Sequence, residues 1–279
     1  MRDPDLLELR AAYDAQLRVD QDTRLPEGVV VEHDGPLART TGYAHGGFVG
    51  YRDLAGIEGD ELDALIARQV AIFARRGESF EWKLHGHDLP DDLDARLFAA
   101  GFAPEDTETV EIARVSIATG TPVLPEGVTL RETVAWADLE RIVAMEDRVW
   151  GNDGSALLHD LAAELAVAPD SLTIIVAEAG GEVVSAGWMR FPTGTEFATL
   201  WGGATLRAWR RKGIYRALVA YRANLAAARG VGYLQVDASD ESRPILERIG
   251  FVPVTTTTPF VWSPAEHAGD DPGEQISVG

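Results

Sequence analysis

The residues best suited to chemistry lie in one run, Gly202-Gly203-Ala204-Thr205-Leu206-Arg207-Ala208-Trp209-Arg210-Arg211-Lys212-Gly213-Ile214-Tyr215-Arg216-Ala217-Leu218. The pattern is a strand, then a basic turn holding one glycine, then a long helix with no pause between. The first N–H groups of a helix have no partner inside it, and the helix dipole is positive at that end. Gly213 lets a ligand come close to the backbone, and Arg210, Arg211 and Lys212 raise the local potential. Such a turn suits a phosphate or a pyrophosphate. The plainer alternative is an exposed basic turn that only begins a helix. The segment alone does not choose between them.

That basic turn stands in a strongly acidic chain. The 279 residues include 25 Lys+Arg against 45 Asp+Glu, a formal net charge of −20. Nucleic acid is itself a polyanion, so DNA and RNA are not expected partners. The acidity either serves solubility alone or draws a cationic or amine substrate. Hydrophobic residues are 46% and charged residues 25%, which excludes a largely disordered or fibrous chain. No apolar run approaches the roughly 18 residues of a membrane span. The opening Met1-Arg2-Asp3-Pro4-Asp5 is charged and has no signal-peptide core, so a cytoplasmic location without membrane contact is expected. There are no cysteines, hence no disulfides, no thiol nucleophile and no Cys-based metal site. His85-Gly86-His87-Asp88 looks metal-binding at first sight, but without Cys or a companion His nearby no metal is expected.

The elements that must position the turn come from periodicity. Residues 4–19 read as a helix. Leu25-Pro26-Glu27-Gly28-Val29 and Leu124-Pro125-Glu126-Gly127-Val128 each open a strand. A helix closed by glycine and followed by a strand occurs at Arg76-Gly77 and again at Arg229-Gly230. Ala100-Gly101-Phe102 and Ile249-Gly250-Phe251 each close a short helix and open a strand. Three matches in one order indicate an internal duplication. The second copy is longer, and the extra chain is legible. Helices fit 136–150 and 155–167, and strands fit 172–179 and 182–189, joined by Gly180-Gly181. A further strand covers 197–206 and a helix 213–229. The first copy therefore lacks about two helices and a strand. The expected organisation is an N-terminal helix at 1–24 and a truncated domain without the basic turn at 25–117. A linker at 118–126, a complete domain at 127–262 and a disordered tail at 263–279 follow.

The turn, the order of elements and the Gly-Phe ending together resemble the Gcn5-related N-acetyltransferase (GNAT) family. The likeness covers 127–262, and more weakly 28–115. It implies an α/β fold of layered α+β type, a mixed and mostly antiparallel sheet flanked by helices, in two unequal copies. It also implies acetyl-CoA as acyl donor. The backbone of Arg211, Lys212, Gly213, Ile214 and Tyr215 would hold its pyrophosphate, with Arg210 at the family's Arg or Gln position. Gly203, Ala204, Thr205 and Leu206 would pair with the pantetheine arm where the strand splays from its neighbour. Departures are Tyr215 at a position usually small, Ser239 in place of an Asn, and Leu246 in place of a tyrosine that protonates the departing thiolate. Matching the copies by their closing glycines places Ile57-Glu58-Gly59-Asp60 opposite Arg210-Arg211-Lys212-Gly213. Carboxylates there repel an anion, so only the second copy is expected to bind the donor.

The resemblance implies transfer of an acetyl group to an amine of a small molecule or peptide by direct attack. An alkylammonium of pKa about 10.4 must first lose a proton. The family's frequent base position falls on Thr199, which is no base. Glu196, Asp237, His159 and Glu241 are the candidates, each with a plainer reading as a surface, cap or turn residue. Two other readings stay open: a longer acyl-CoA as donor, or an acyl-CoA-binding regulatory or partner-binding module without turnover. Oligomeric state is not legible.

Overall fold

The computed structural model describes residues 3–18, 24–151 and 153–264, so the expected tail from 265 onward lies outside the described residues. The first half runs α1 (Asp3–Gln16), β1 (Val30–Asp34), β2 (Leu37–Thr41), β3 (Gly47–Gly50), α2 (Gly59–Arg76), β4 (Phe80–His85), α3 (Leu93–Ala99), β5 (Ala103–Pro104) and β6 (Glu108–Arg114). A short α4 (Val115–Ala118) leads to the second half: β7 (Val128–Thr133), α5 (Trp136–Trp150), α6 (Ser155–Val167), β8 (Leu172–Ala179), β9 (Glu182–Arg190) and β10 (Phe197–Thr205). The chain continues through α7 (Ile214–Ala228), β11 (Tyr233–Ala238), α8 (Arg243–Ile249) and β12 (Val252–Trp262).

These strands form one sheet in the order β1-β2-β3-β4-β12-β6-β11-β10-β9-β8-β7, with β5 on the side of β12. Only β3–β4 and β10–β11 are parallel, and each parallel pair is joined by a crossing helix, α2 and α7 respectively. The fold is mixed α/β, a mostly antiparallel open sheet flanked by helices, as the sequence predicts. Burial follows the period of each element. In α2, Leu62, Leu65, Ile66, Gln69 and Phe73 are buried, and Gly77 ends the helix with φ 67°. In β11, Leu234, Val236 and Ala238 pack with Val219 and Ala223 of α7, while Tyr233 faces the α1 side with Leu9, Tyr13 and Phe197.

The repeated peptides differ in what they mark. Pro26–Val29 and Pro125–Val128 form the same turn, each closed by an N–H···O bond of 3.1 Å over a glycine of positive φ. They enter different places, however: β1 is half of the hairpin with β2, whereas β7 is the outer strand beside β8. A pentapeptide fixes a turn but not its place in a sheet. Gly77 and Gly230, by contrast, end the two crossing helices, and Gly101 and Gly250 end α3 and α8. In order of elements the first half has no counterparts of β7, α5 and α6, although the repeated pentapeptide pairs the start of β1 with that of β7.

The centre of the sheet is not visible in the sequence. β6, the last strand of the first half, pairs with β11 of the second. β12, the last strand of the second half, pairs with β4 of the first. β6 and β12 also pair with each other. The halves expected at 25–117 and 127–262 thus share one ladder that crosses the 118–126 linker unbroken.

Candidate functional site

β10 and β11 pair only from Phe197↔Tyr233 to Thr199↔Gln235, though β10 continues to Thr205 and β11 to Ala238. On its other edge, β10 shifts register against β9 between Gly202 and Thr205. Gly202 and Gly203 hold φ of 66° and 101° there. A Cβ at the first would strike the Trp188 ring, and one at the second the Tyr215 ring, so glycine is required twice. A strand that leaves its partner exposes backbone groups that want hydrogen bonds. Part of this demand is met by Arg222 of α7. It is buried, and its guanidinium donates to the carbonyls of Trp188 at 3.1 Å, Trp201 at 3.0 Å and Leu218 at 3.3 Å. Burial pushes this guanidinium down to about 10. Arg222→Met leaves the strand carbonyls unpaired, at a cost of about 1–3 kcal/mol each. Urea unfolding should show a loss of about 3 kcal/mol; a change below about 0.5 kcal/mol, the size of an ordinary surface substitution, would contradict this role.

Beyond the parted strands the chain enters the basic turn. Leu206 N–H donates to Val184 at 2.9 Å, the Ser185 hydroxyl donates to the Ala204 carbonyl at 2.7 Å and meets the Thr205 hydroxyl at 2.9 Å. Arg210 Nε donates to the Thr205 carbonyl at 3.0 Å and ties the turn to the strand end. Lys212 Nζ lies 4.5 Å over the Trp209 ring. Arg211 holds φ 62°, a strained conformation for a residue with a side chain. Gly213, with φ 86°, precedes α7, and no side chain caps that helix. The N–H groups of Arg211, Lys212, Gly213, Ile214 and Tyr215 make no backbone hydrogen bond among the described residues. Arg211, Lys212 and Arg216 are exposed, while Ile214 is buried. A groove of about 510 Å³ adjoins the turn, lined by Lys212, Gly213, Arg216, Arg248 and the linker residues Gly120 and Val123. These features fit a diphosphate: free donors, three cations and an open approach.

The first half repeats the frame with opposite chemistry. Its parallel pair also parts early, at Val49↔Trp82. Its crossing helix α2 opens with Glu58 at the cap and Asp60 and Glu61 in the first turn. Side chains bridge the parted ends: Arg18 and Tyr51 each donate to Asp88 at 2.6 Å, and Tyr13 OH meets His85 Nε2 at 2.9 Å. Burial works to raise the Asp88 carboxyl, but its bonds to His85, Arg18 and Tyr51 outweigh it and hold it down to about 2. His87 meets the Thr255 hydroxyl at 2.8 Å and Asp14 at 3.2 Å. The His85-Gly86-His87-Asp88 run is thus absorbed in a hydrogen-bonded network.

The candidate bases scatter. Asp237 lies at the parted end of β11, where Lys83 Nζ is 2.9 Å from its carboxylate and Gln235 donates to it at 2.7 Å. Burial works to lower the Lys83 ammonium, but Asp237 and Glu81 raise it above the usual range. Thr199, on the same face, accepts from Trp201 Nε1 at 2.7 Å. Glu196 is exposed and bound to Gln16 of α1. His159 is exposed on α6, its Nδ1 2.7 Å from the Ser155 carbonyl and its ring edge-on to Trp136. Glu241 is exposed in the turn before α8. Ser239 shapes that turn, its carbonyl accepting from Ser242 at 3.1 Å and Arg243 at 2.9 Å. Leu246 is buried in the core. Burial pushes the Tyr215 phenol up. Sequence reasoning missed Lys83 and Glu108, which arrive from the first half. It also missed Arg222, whose signal was a cation interrupting the Ile214–Leu218–Leu225 stripe.

Parted parallel strands thus run into an uncapped, cationic helix start. Residues 136–251 match the acetyltransferase (GNAT) family, and the chain carries a GNAT acetyltransferase domain over that stretch. A GCN5-related N-acetyltransferase from Kribbella flavida shares the fold at TM-score 0.64 and 15% identity, covering 95% of this chain and 96% of that one. A tandem GNAT protein from the clavulanic acid biosynthesis pathway does so at TM-score 0.61 and 14% identity, covering 93% of each. A GCN5-related N-acetyltransferase from Sphaerobacter thermophilus gives TM-score 0.58 at 14% identity, over 82% of this chain and 76% of that one. No curated protein matches. The family in general uses acetyl-CoA and amine acceptors. Among the described residues no helix is long and apolar enough to cross a membrane.

Proposed function

We propose that this chain moves an acetyl group from acetyl-CoA to an amine of a small molecule or peptide, and that only the second half holds the donor. The observation that carries this is the parting of β10 from β11 directly ahead of the uncapped, basic start of α7. In this reading the N–H groups of Arg211, Lys212, Gly213, Ile214 and Tyr215 receive the diphosphate, with Arg210 holding the turn in place. Ser239, at the head of α8, offers a hydroxyl. The parted edge at Gly203, Ala204, Thr205 and Leu206 pairs with the pantetheine arm, and a bulged N–H near Ala204 stabilises the oxyanion. The amine attacks directly. A thiolate whose conjugate acid has pKa about 8.5 leaves without much help, so Leu246 does not disable the reaction. The first half is a donor-free partner that shapes the acceptor side, and the protein works in the cytoplasm.

Titration calorimetry should find one acetyl-CoA per chain, and thiol release should depend on an added amine. Two molecules per chain, or none, would sink the donor assignment. Binding without amine-dependent release over a broad panel would favour a regulatory module instead, and tighter binding of longer acyl-CoA would favour a longer donor.

A further inference from the structure

We propose that Glu108, carried by the first half, is the base that deprotonates the attacking amine in the second half; this rests on the reading of the parted strands β10 and β11 as the donor site. The exchanged strand β6 supplies the geometry. Asp237 pairs with Val110 and Ala238 with Thr109, so Glu108 is the next residue, beside the end of β11 and past the point where β10 has left. Side chains alternate along a strand. Glu108 therefore shares a face with Val110 and Ile112, the face that also carries Tyr13 and Phe197. The opposite face, with Leu234, Val236 and Ala238, is covered by α7 and α8. A donor whose diphosphate sits at the start of α7 approaches the gap from the covered face. An acceptor must then reach the thioester from the other.

On that acceptor face two carboxylates flank the end of β11, and only one is free to work. Asp237 is engaged by Lys83 and Gln235. Glu108 is half-buried and makes no side-chain hydrogen bond or ion pair among the described residues. The charged groups facing it are Asp237 from β11, Lys83 and Glu81 from β4, and Glu105 from the segment before β6. α1 presents the Tyr13 hydroxyl, and β12 places the uncharged Thr257 directly opposite. Burial first, then the neighbouring Asp237, lifts Glu108 to about 7. A base of that strength is about half ionised at neutral pH, and its charged form takes a proton readily.

The step balances. The ammonium gives its proton to the Glu108 carboxylate. The freed nitrogen pair forms the C–N bond at the thioester carbonyl. The C–S bond breaks with its electrons on sulfur, the nitrogen gives its second proton to the departing thiolate, and Glu108 releases the first to solvent.

The test compares two acceptors on the full chain. Primary alkylamines are cationic at neutral pH and need a base, while hydroxylamine is already neutral and does not. In the wild type, kcat/KM for an alkylamine should rise with pH through a group near 7. In Glu108→Gln the alkylamine rate should fall by about 100-fold or more and that limb should vanish. The loss with hydroxylamine should stay within about 3-fold, less than proton transfer is worth. Glu108→Asp should restore part of the alkylamine rate. Equal losses with both acceptors would show a structural role, and an intact limb in Glu108→Gln would overturn the proposal. A wild type that turns over hydroxylamine but no alkylamine would overturn it too. Carbon NMR of the Glu108 carboxyl needs no acceptor: titration near 7 supports the proposal, and titration at the ordinary value of about 4.3 contradicts it. If the wild type binds no acetyl-CoA in calorimetry, the donor reading itself fails, a separate result.

Discussion

Arg211→Glu combined with Lys212→Glu lowers acetyl-CoA affinity by about 100-fold or more and leaves the melting temperature near its wild-type value. Both side chains are exposed, so neither is part of a core. Arg211 already strains the backbone at φ 62°, and Glu at that position bears the same strain. Lys212 gives up only its place over Trp209, about 0.5–1 kcal/mol at an exposed site. The ligand loses much more. A hydrogen bond between charged groups is worth about 1.5–3 kcal/mol, and each substitution adds repulsion to that loss. Two such losses make about 3 kcal/mol, or two orders of magnitude in affinity. The effect should shrink as salt rises, because exposed charges are screened. Calorimetry at low and high salt checks both points, and unchanged affinity would remove the cradle. The matched control is Glu58→Lys with Asp60→Lys at the start of α2, which should leave affinity alone. A large change there would mean that the first half takes part in holding the donor.

Residues 119–264 made alone should fail to fold cooperatively, and mixing them with residues 3–118 should restore a single sharp transition. The exchange of β6 and β12 is the reason. Without the first half, β11 loses its partner from Tyr233↔Arg114 to Ala238↔Thr109 and becomes a bare edge in the middle of the sheet. The fragment also loses Val110 and Ile112, both fully buried against Phe197, and Ala113 on the opposite face. Burying an aliphatic side chain of that size is worth about 1.5–3 kcal/mol. The total is about 5 kcal/mol before the ladder is counted, comparable to the whole stability of a small domain. Thermal melts followed by circular dichroism test this. A sharp transition from residues 119–264 alone would show that the second half is self-sufficient.

The two experiments separate what is local from what is not. The basic turn, Gly213 and the acidic start of α2 were legible because each rests on neighbours a few residues away. Helix ends and positive φ are properties of short peptides. The repeated helix endings, Gly77 with Gly230 and Gly101 with Gly250, were legible for the same reason. The matched pentapeptides misled about position: the turn is local, but the strand it opens takes whatever neighbour the sheet provides.

By itself, the sequence determined the elements, the mostly antiparallel α/β class, the place of the basic helix start and the contrast in charge between the halves. Tertiary structure decided which strand lies beside β11, and with it that Lys83 meets Asp237 and that Glu108 stands at the open end of the gap. Pairing of β6 with β11 joins residues more than a hundred positions apart, and nothing in either strand's own alternation names its partner. Burial and neighbouring charge, not residue type, set the proton affinity of Glu108, and both exist only once the strands have exchanged.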